Sequence, residues 1–216
     1  MTVENEQRYL NALGDSLTHG DNTGKGGKGT PWTAYIPSLT GLCCRNYGIN
    51  GNRLAGPGGM ADRCGAMARS ASLVSVWGGM NDFCGGAALG HFGDRGIDTF
   101  YGALDTLARR LYAGYPGADI FFITPPKCRS RLYGWETFTP NGVGHTLKEY
   151  RDAIVEAADY YSLPVLDMYA MGGMSCYLDD GRFRPDGLHY SDEGYARVAH
   201  IIAGFIRAHF PELVRE

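Results

Sequence analysis

Short apolar runs with strand character alternate along the chain with longer stretches of helical period. The runs Tyr9–Leu13, Arg45–Gly48, Leu73–Trp77, Ile120–Thr124 and Pro164–Leu166 are each bounded by glycine, proline or polar positions and predict five strands. Ile120-Phe121-Phe122-Ile123 is continuously apolar, the pattern of a parallel strand buried on both faces. Ile97, Phe100, Tyr101, Leu104, Leu107 and Leu111 fall on one helical face, as do Leu147, Tyr150, Ile154, Ala157 and Tyr161. A third helix carries Tyr195, Val198, Ala199, Ile202, Phe205 and Ile206 behind a Ser191 N-cap, with Asp192 and Glu193 suiting its first turn. Weaker helical patterns cover Trp32–Leu39 and Met60–Arg69. Strands alternating with helices predict an α/β layered fold with a five-stranded parallel sheet. The 216 residues show no repeat and no linker, so one domain over residues 1–216 is expected.

Ligands of parallel sheets bind outside the carboxyl ends of the strands. Three loops are expected there: Gly20–Thr30, Phe83–Gly96 and Pro125–Gly144. Glycine is abundant, at 32 residues and without a collagen period, which suits tight loops and close backbone approach.

Charge narrows the function classes. Lysine and arginine total 20 against 23 acidic residues, giving a net charge of −3. The basic residues are scattered, so no nucleic-acid footprint is present. No run approaches the length of a membrane span, which argues against membrane insertion. Six cysteines without a C-x-x-C spacing make neither a disulfide scaffold nor a zinc motif. Met1–Glu6 lacks the basic and apolar regions of a secretory signal, so a cytoplasmic location is expected. Gly24-Lys25-Gly26-Gly27-Lys28-Gly29 meets G-x-G-x-x-G by letter, but it does not directly follow a strand and is read as a mobile loop. No H-E-x-x-H occurs, and no metal is expected.

Four short segments could carry chemistry. Ser16, in Gly14-Asp15-Ser16-Leu17-Thr18, follows the first strand, where a strand-to-helix turn exposes a hydroxyl; most such serines are simple helix caps. A serine nucleophile needs a base. Among six histidines, His189 lies in Asp186-Gly187-Leu188-His189, a glycine turn that lets the carboxylate reach the imidazole; a capping aspartate beside a surface histidine is the plainer alternative. The third strand exits through Gly78-Gly79-Met80-Asn81-Asp82, offering the Asn81 amide, and the second through Asn46–Gly51, offering the Gly51 N–H. With the Ser16 N–H these would hold an oxyanion.

Taken together and in this order, the segments resemble the SGNH/GDSL hydrolase superfamily, over residues 9 to 206. Its four blocks fall on Ser16, Gly51, Asn81 and His189, with Asp186 as third member of the triad. The resemblance implies a flavodoxin-like three-layer α/β/α sandwich and a cofactor-free serine esterase acting through an acyl-enzyme. The segment from Asn81 to Gly90 also looks like a loop of carbohydrate-ester members. Asp15, Phe83, Tyr133 and Trp135 are taken as substrate contacts, with Asp15 and Asp82 bracing loops rather than reacting. The polar, aromatic-bearing loops point to short acyl groups, chiefly acetyl, on a carbohydrate or other polar alcohol. Alternatives are a lipolytic carboxylesterase or lysophospholipase, an acyl-CoA thioesterase, and, outside enzymes, a sugar- or nucleotide-binding module. The partner is a small-molecule ester, and the chain is compatible with a homo-oligomer.

Overall fold

In a computed structural model of the chain, residues 7–23 and 26–214 are described. Met1–Glu6 and the first two positions of Gly24–Gly29, on which two of the expectations above fall, lie outside them. Five strands form one parallel sheet: β1 (Tyr9–Gly14), β2 (Cys43–Gly48), β3 (Leu73–Trp77), β4 (Asp119–Ile123) and β5 (Val165–Leu166). Their spatial order is β2-β1-β3-β4-β5, the flavodoxin-like doubly wound arrangement. Register pairs Gly14 with both Gly48 and Trp77, so the first three strands end level with one another.

Period two in the strands sorts side chains onto two faces. Leu13, Val74, Val76, Ile120 and Phe122 pack with α3 (Met60–Arg63), α5 (Phe100–Gly114) and α6 (Leu147–Tyr160). Leu10, Ala12, Leu73, Trp77, Phe121 and Ile123 pack with α2 (Ile36–Thr40), α7 (Met168–Met171) and α8 (Asp192–His209). The result is the α/β layered fold that the strand and helix patterns predicted, in the three-layer form that the family resemblance implied. Among the described residues no helix is long and apolar enough to cross a membrane.

Several boundaries move, each for a local reason. The helix predicted from Ile97 starts at Phe100, because Gly96 takes φ +84° and Thr99 Oγ1 caps the Gly102 N–H at 3.1 Å. The Trp32–Leu39 helix divides into a 3-10 turn (Trp32–Ala34) and α2, with Pro37 in the first turn of α2. Met60–Arg69 shortens to α3 and a 3-10 turn (Cys64–Ala66). β2 begins two residues early because Cys43 and Cys44 pair with Tyr9 and Leu10. Pro164 lies just outside β5, though its carbonyl accepts the Phe122 N–H at 3.0 Å. Ser191 caps α8 as expected, its Oγ accepting the Gly194 N–H at 3.1 Å.

Candidate active site

The strand order reverses between β1 and β3, and the crevice at such a switch point is where doubly wound sheets bind ligands. Ser16 leaves β1 at that point, opening the single-turn helix α1 (Ser16–His19). Asp15 Oδ1 accepts the Leu17 N–H at 2.9 Å and caps it. Asn46 at the end of β2 donates to the Thr18 carbonyl at 2.6 Å and pins the turn from beneath. The pinning is close: a Cβ on Gly48 would lie 2.1 Å from the His19 nitrogen.

Opposite Ser16, the turn before α8 presents His189. Ser16 Oγ lies 3.0 Å from His189 Nε2, and His189 Nδ1 lies 2.7 Å from Asp186 Oδ2. The other Asp186 oxygen accepts the Leu188 and His189 N–H groups at 2.8 and 2.7 Å, which fixes the carboxylate's orientation. All three side chains are buried, at 8%, 6% and 6% exposure. Burial alone would raise the Asp186 pKa, but the hydrogen bond and charge of His189 hold it below the usual carboxylate range. Burial likewise opposes a charged His189, yet the hydrogen bond and charge of Asp186, joined by Asp21 and Asp15, carry its pKa above 6.5. Such a chain lets imidazole withdraw the serine proton and leaves the imidazolium stabilised.

Gly187 makes this turn possible. It sits at φ +81°, and an added Cβ would lie 1.8 Å from the Arg129 carbonyl oxygen. Arg129 N–H in turn donates to the Gly187 carbonyl at 3.0 Å. Gly187→Ala is expected to destabilise the fold by about 2–5 kcal/mol, combining a strained φ with a backbone clash. Urea unfolding measures it, and an unchanged midpoint would refute this account of the turn.

Of the three donors picked out for an oxyanion, Asn81 is tied to the chain neighbours of the other two. This residue lies in α4 (Met80–Cys84), which starts after Gly79 at φ +99°. Asn81 Nδ2 donates to Asp15 Oδ2 at 3.1 Å and to the Asn52 carbonyl at 3.2 Å, touching the neighbours of both Ser16 and Gly51. The Ser16 and Gly51 N–H groups meet no acceptor among the described residues. Arg63, which the sequence reading did not single out, ties the same region together. It donates to the Gly14 carbonyl at 2.9 Å and to Asn52 Oδ1 at 2.7 Å.

Of the expected substrate contacts, two are placed elsewhere. Phe83 is 2% exposed and meets Tyr150 edge-on at 6.0 Å, inside the core. It lies one turn into α4, on the face turned away from solvent. Asp15 is 1% exposed, with its oxygens taken by Leu17 and Asn81, so it braces the site from behind. Burial, with Asp82 adding to it, pushes the Asp15 pKa up to about 7. Asp82 holds the Leu54 and Ala55 N–H groups at 2.8 and 2.9 Å. Tyr133 and Trp135 stack at 4.6 Å, with Tyr133 48% exposed. Their loop is sewn to the histidine turn: Arg131 N–H donates to the Asp186 carbonyl at 2.7 Å, and Ser130 N–H to the Trp135 carbonyl at 2.8 Å.

The loop after α4 departs from expectation too. Phe92 packs against Tyr160 at 5.2 Å, on the outer face of α5 and α6, so this part of Phe83–Gly96 runs away from Ser16. In the glycine-rich loop, Asp21 receives the Thr23 and Gly26 N–H groups at 3.0 and 3.1 Å. Those amides surround a carboxylate, not the space a phosphate would need. Tyr195 Oη anchors the segment by donating to the Asp21 carbonyl at 2.7 Å.

Comparison with known proteins shows the fold and the family. The model of the GDSL-like lipase/acylhydrolase family matches residues 12–197. A crystal structure 37% identical in sequence superposes with a TM-score of 0.89, covering 94% of this chain and 97% of that one. A protein from Lactobacillus plantarum is 26% identical, with a TM-score of 0.82 and coverage of 95% and 99%. The native aryl esterase of M. smegmatis shares the fold at 18% identity, with a TM-score of 0.68 and coverage of 93% and 99%. No curated protein sequence matches the chain. Because the family model takes in everything from the serine turn to the start of α8, the chain belongs to the GDSL-like lipase/acylhydrolase family and is a hydrolase of carboxylic esters.

Proposed function

We propose that the chain is a serine esterase that removes short acyl groups, chiefly acetyl, from a carbohydrate or another polar alcohol. The observation that carries the proposal is the buried Ser16–His189–Asp186 chain, with contacts of 3.0 and 2.7 Å. Ser16 Oγ attacks the ester carbonyl while His189 Nε2 takes its proton. His189 then delivers that proton to the departing alcohol, leaving an acyl-enzyme on Ser16. Water, deprotonated by His189, attacks the acyl carbon and restores the serine. Asp186 holds the imidazole in the required tautomer throughout.

Negative charge on the carbonyl oxygen is met by the Ser16 and Gly51 N–H groups and the Asn81 amide, each worth about 3 kcal/mol in the transition state. Asn81 reaches the oxyanion by exchanging one of its two long resting contacts, at 3.1 and 3.2 Å, for a charge-assisted one.

The stacked Tyr133–Trp135 pair supports a polar alcohol, because an aromatic face beside backbone polar groups suits a sugar ring. That pair stands on the loop hydrogen-bonded to the Asp186 carbonyl. A fatty chain needs a continuous apolar groove, gaining roughly 0.8 kcal/mol per buried methylene. The expected result with acyl p-nitrophenyl esters is highest kcat/KM for acetyl, falling steeply beyond about four acyl carbons. A steady rise from acetyl to decanoyl would assign the chain to the lipolytic carboxylesterases instead, and preference for acyl-CoA over oxygen esters to the thioesterases.

A further inference from the structure

Behind the turn that carries Asp186 and His189 lies a second cavity, of about 230 Å³. It is walled by Lys127 after β4, by the Gly172–Tyr177 segment, and by Arg184. Neither Ser16 nor His189 lines it.

Arg184 is the anomaly. It is only 2% exposed, yet among the described residues it makes no ion pair with a carboxylate. Its guanidinium donates to the Lys127 carbonyl and to the Tyr190 hydroxyl, and its ring neighbour is Tyr190, 4.6 Å away. Its Nε has no hydrogen-bond partner. Neutral acceptors satisfy donors but leave the charge uncompensated, and an uncompensated buried charge is costly. The nearby Cys176 thiol does not supply the missing anion, since burial keeps its pKa above the ordinary value.

Two further features have the same sign. Lys127 donates to the Tyr169 carbonyl at 2.8 Å and faces the Tyr169 ring at 4.4 Å, again with no carboxylate partner among the described residues. No acidic residue lines the cavity. In the same wall, the four consecutive N–H groups of residues 172–175 meet no acceptor among the described residues. Two cations without a carboxylate partner, lining one cavity with a run of free amides, are the electrostatic complement of an oxyanion.

We propose that this cavity binds a small oxyanion, a phosphate or carboxylate group, held by Arg184, Lys127 and the amides of residues 172–175. The group is either a free ion or an anionic substituent of the ester substrate. Arg184 also couples the site to the relay, because its carbonyl accepts the Gly187 N–H at 3.0 Å and its guanidinium holds the residue after His189.

Calorimetric titration of the full chain with inorganic phosphate, at fixed ionic strength and pH, tests the proposal. One saturable site is expected in the wild type. Lys127→Met should weaken it roughly tenfold or more, the usual effect of losing a charged hydrogen-bond donor. Arg184→Gln should abolish it, and Lys148→Met, on the exposed surface of α6, should leave it unchanged. A second arm compares kcat/KM for an acetyl ester bearing a carboxylate or phosphate on its alcohol with that for its neutral counterpart. A preference for the anionic ester that Lys127→Met removes identifies the ligand as part of the substrate. Phosphate binding without that preference identifies it as a free ion. Absence of both in the wild type overturns the proposal, as does phosphate binding that Lys127→Met leaves undiminished. The wild-type measurements stand even where Arg184→Gln fails to fold.

Discussion

Ser16→Ala is expected to lower kcat for a small ester by roughly 10⁵–10⁶-fold, with KM little changed. Only Oγ is within reach of His189 Nε2, at 3.0 Å, and alanine removes that atom without disturbing the cap. The α1 turn is held by Asp15 and Asn46, neither of which bonds to the Ser16 side chain. Stability should therefore move by no more than about 1 kcal/mol, in line with a small truncation. Labelling by a serine-directed phosphonate should vanish in the same variant. Turnover at the wild-type rate would end the serine mechanism.

For Asp186→Asn a fall in kcat of about 10⁴-fold is expected, because an amide in that position favours the wrong imidazole tautomer. The pH profile gives an independent reading. Catalysis needs neutral His189, so activity rises as pH increases through its pKa. Asp186 supplies the two largest effects that raise this pKa above 6.5. The wild-type rise should thus be centred above 6.5, and in Asp186→Asn the residual activity should rise at lower pH. The sign for stability follows separately. A histidine whose folded pKa is raised favours folding below its unfolded pKa, and that contribution disappears as pH climbs through the folded value. A wild-type profile centred below 6.5, or one unmoved in Asp186→Asn, would exclude this electrostatic account.

Those residues were legible in the sequence because the strands report their own ends. Ser16, Asn81 and His189 each stand within a few positions of an apolar run or a helix cap. In a parallel sheet such positions gather at one edge, whatever their separation along the chain. Side-chain direction was harder to read. Phe83 sits in a polar, glycine-rich stretch, but Gly79 turns the chain into α4 and carries the ring back into the core. Arg184 is hidden for a different reason. Arginine is ordinarily exposed, and nothing local marks this one as 2% exposed, since the groups that bury it include Lys127 after β4 and Cys176 after β5. Arg63 and Asn52 were missed likewise, being supports recruited from α3 and from the turn after β2.

The Ser16–His189 contact joins residues 173 positions apart. A ribosome adding about 5–20 residues per second needs roughly 10–35 s to travel from one to the other. During that interval the nucleophile has been made but has no base, so the nascent chain carries a chemically quiet serine. β1, the strand that positions it, gains its second neighbour only when β3 is complete. The turn bearing Asp186 and His189 then has to dock with α8 at its back. Hydrolytic competence is thus a late event in the life of each molecule, and a chain interrupted anywhere before position 189 is born inert.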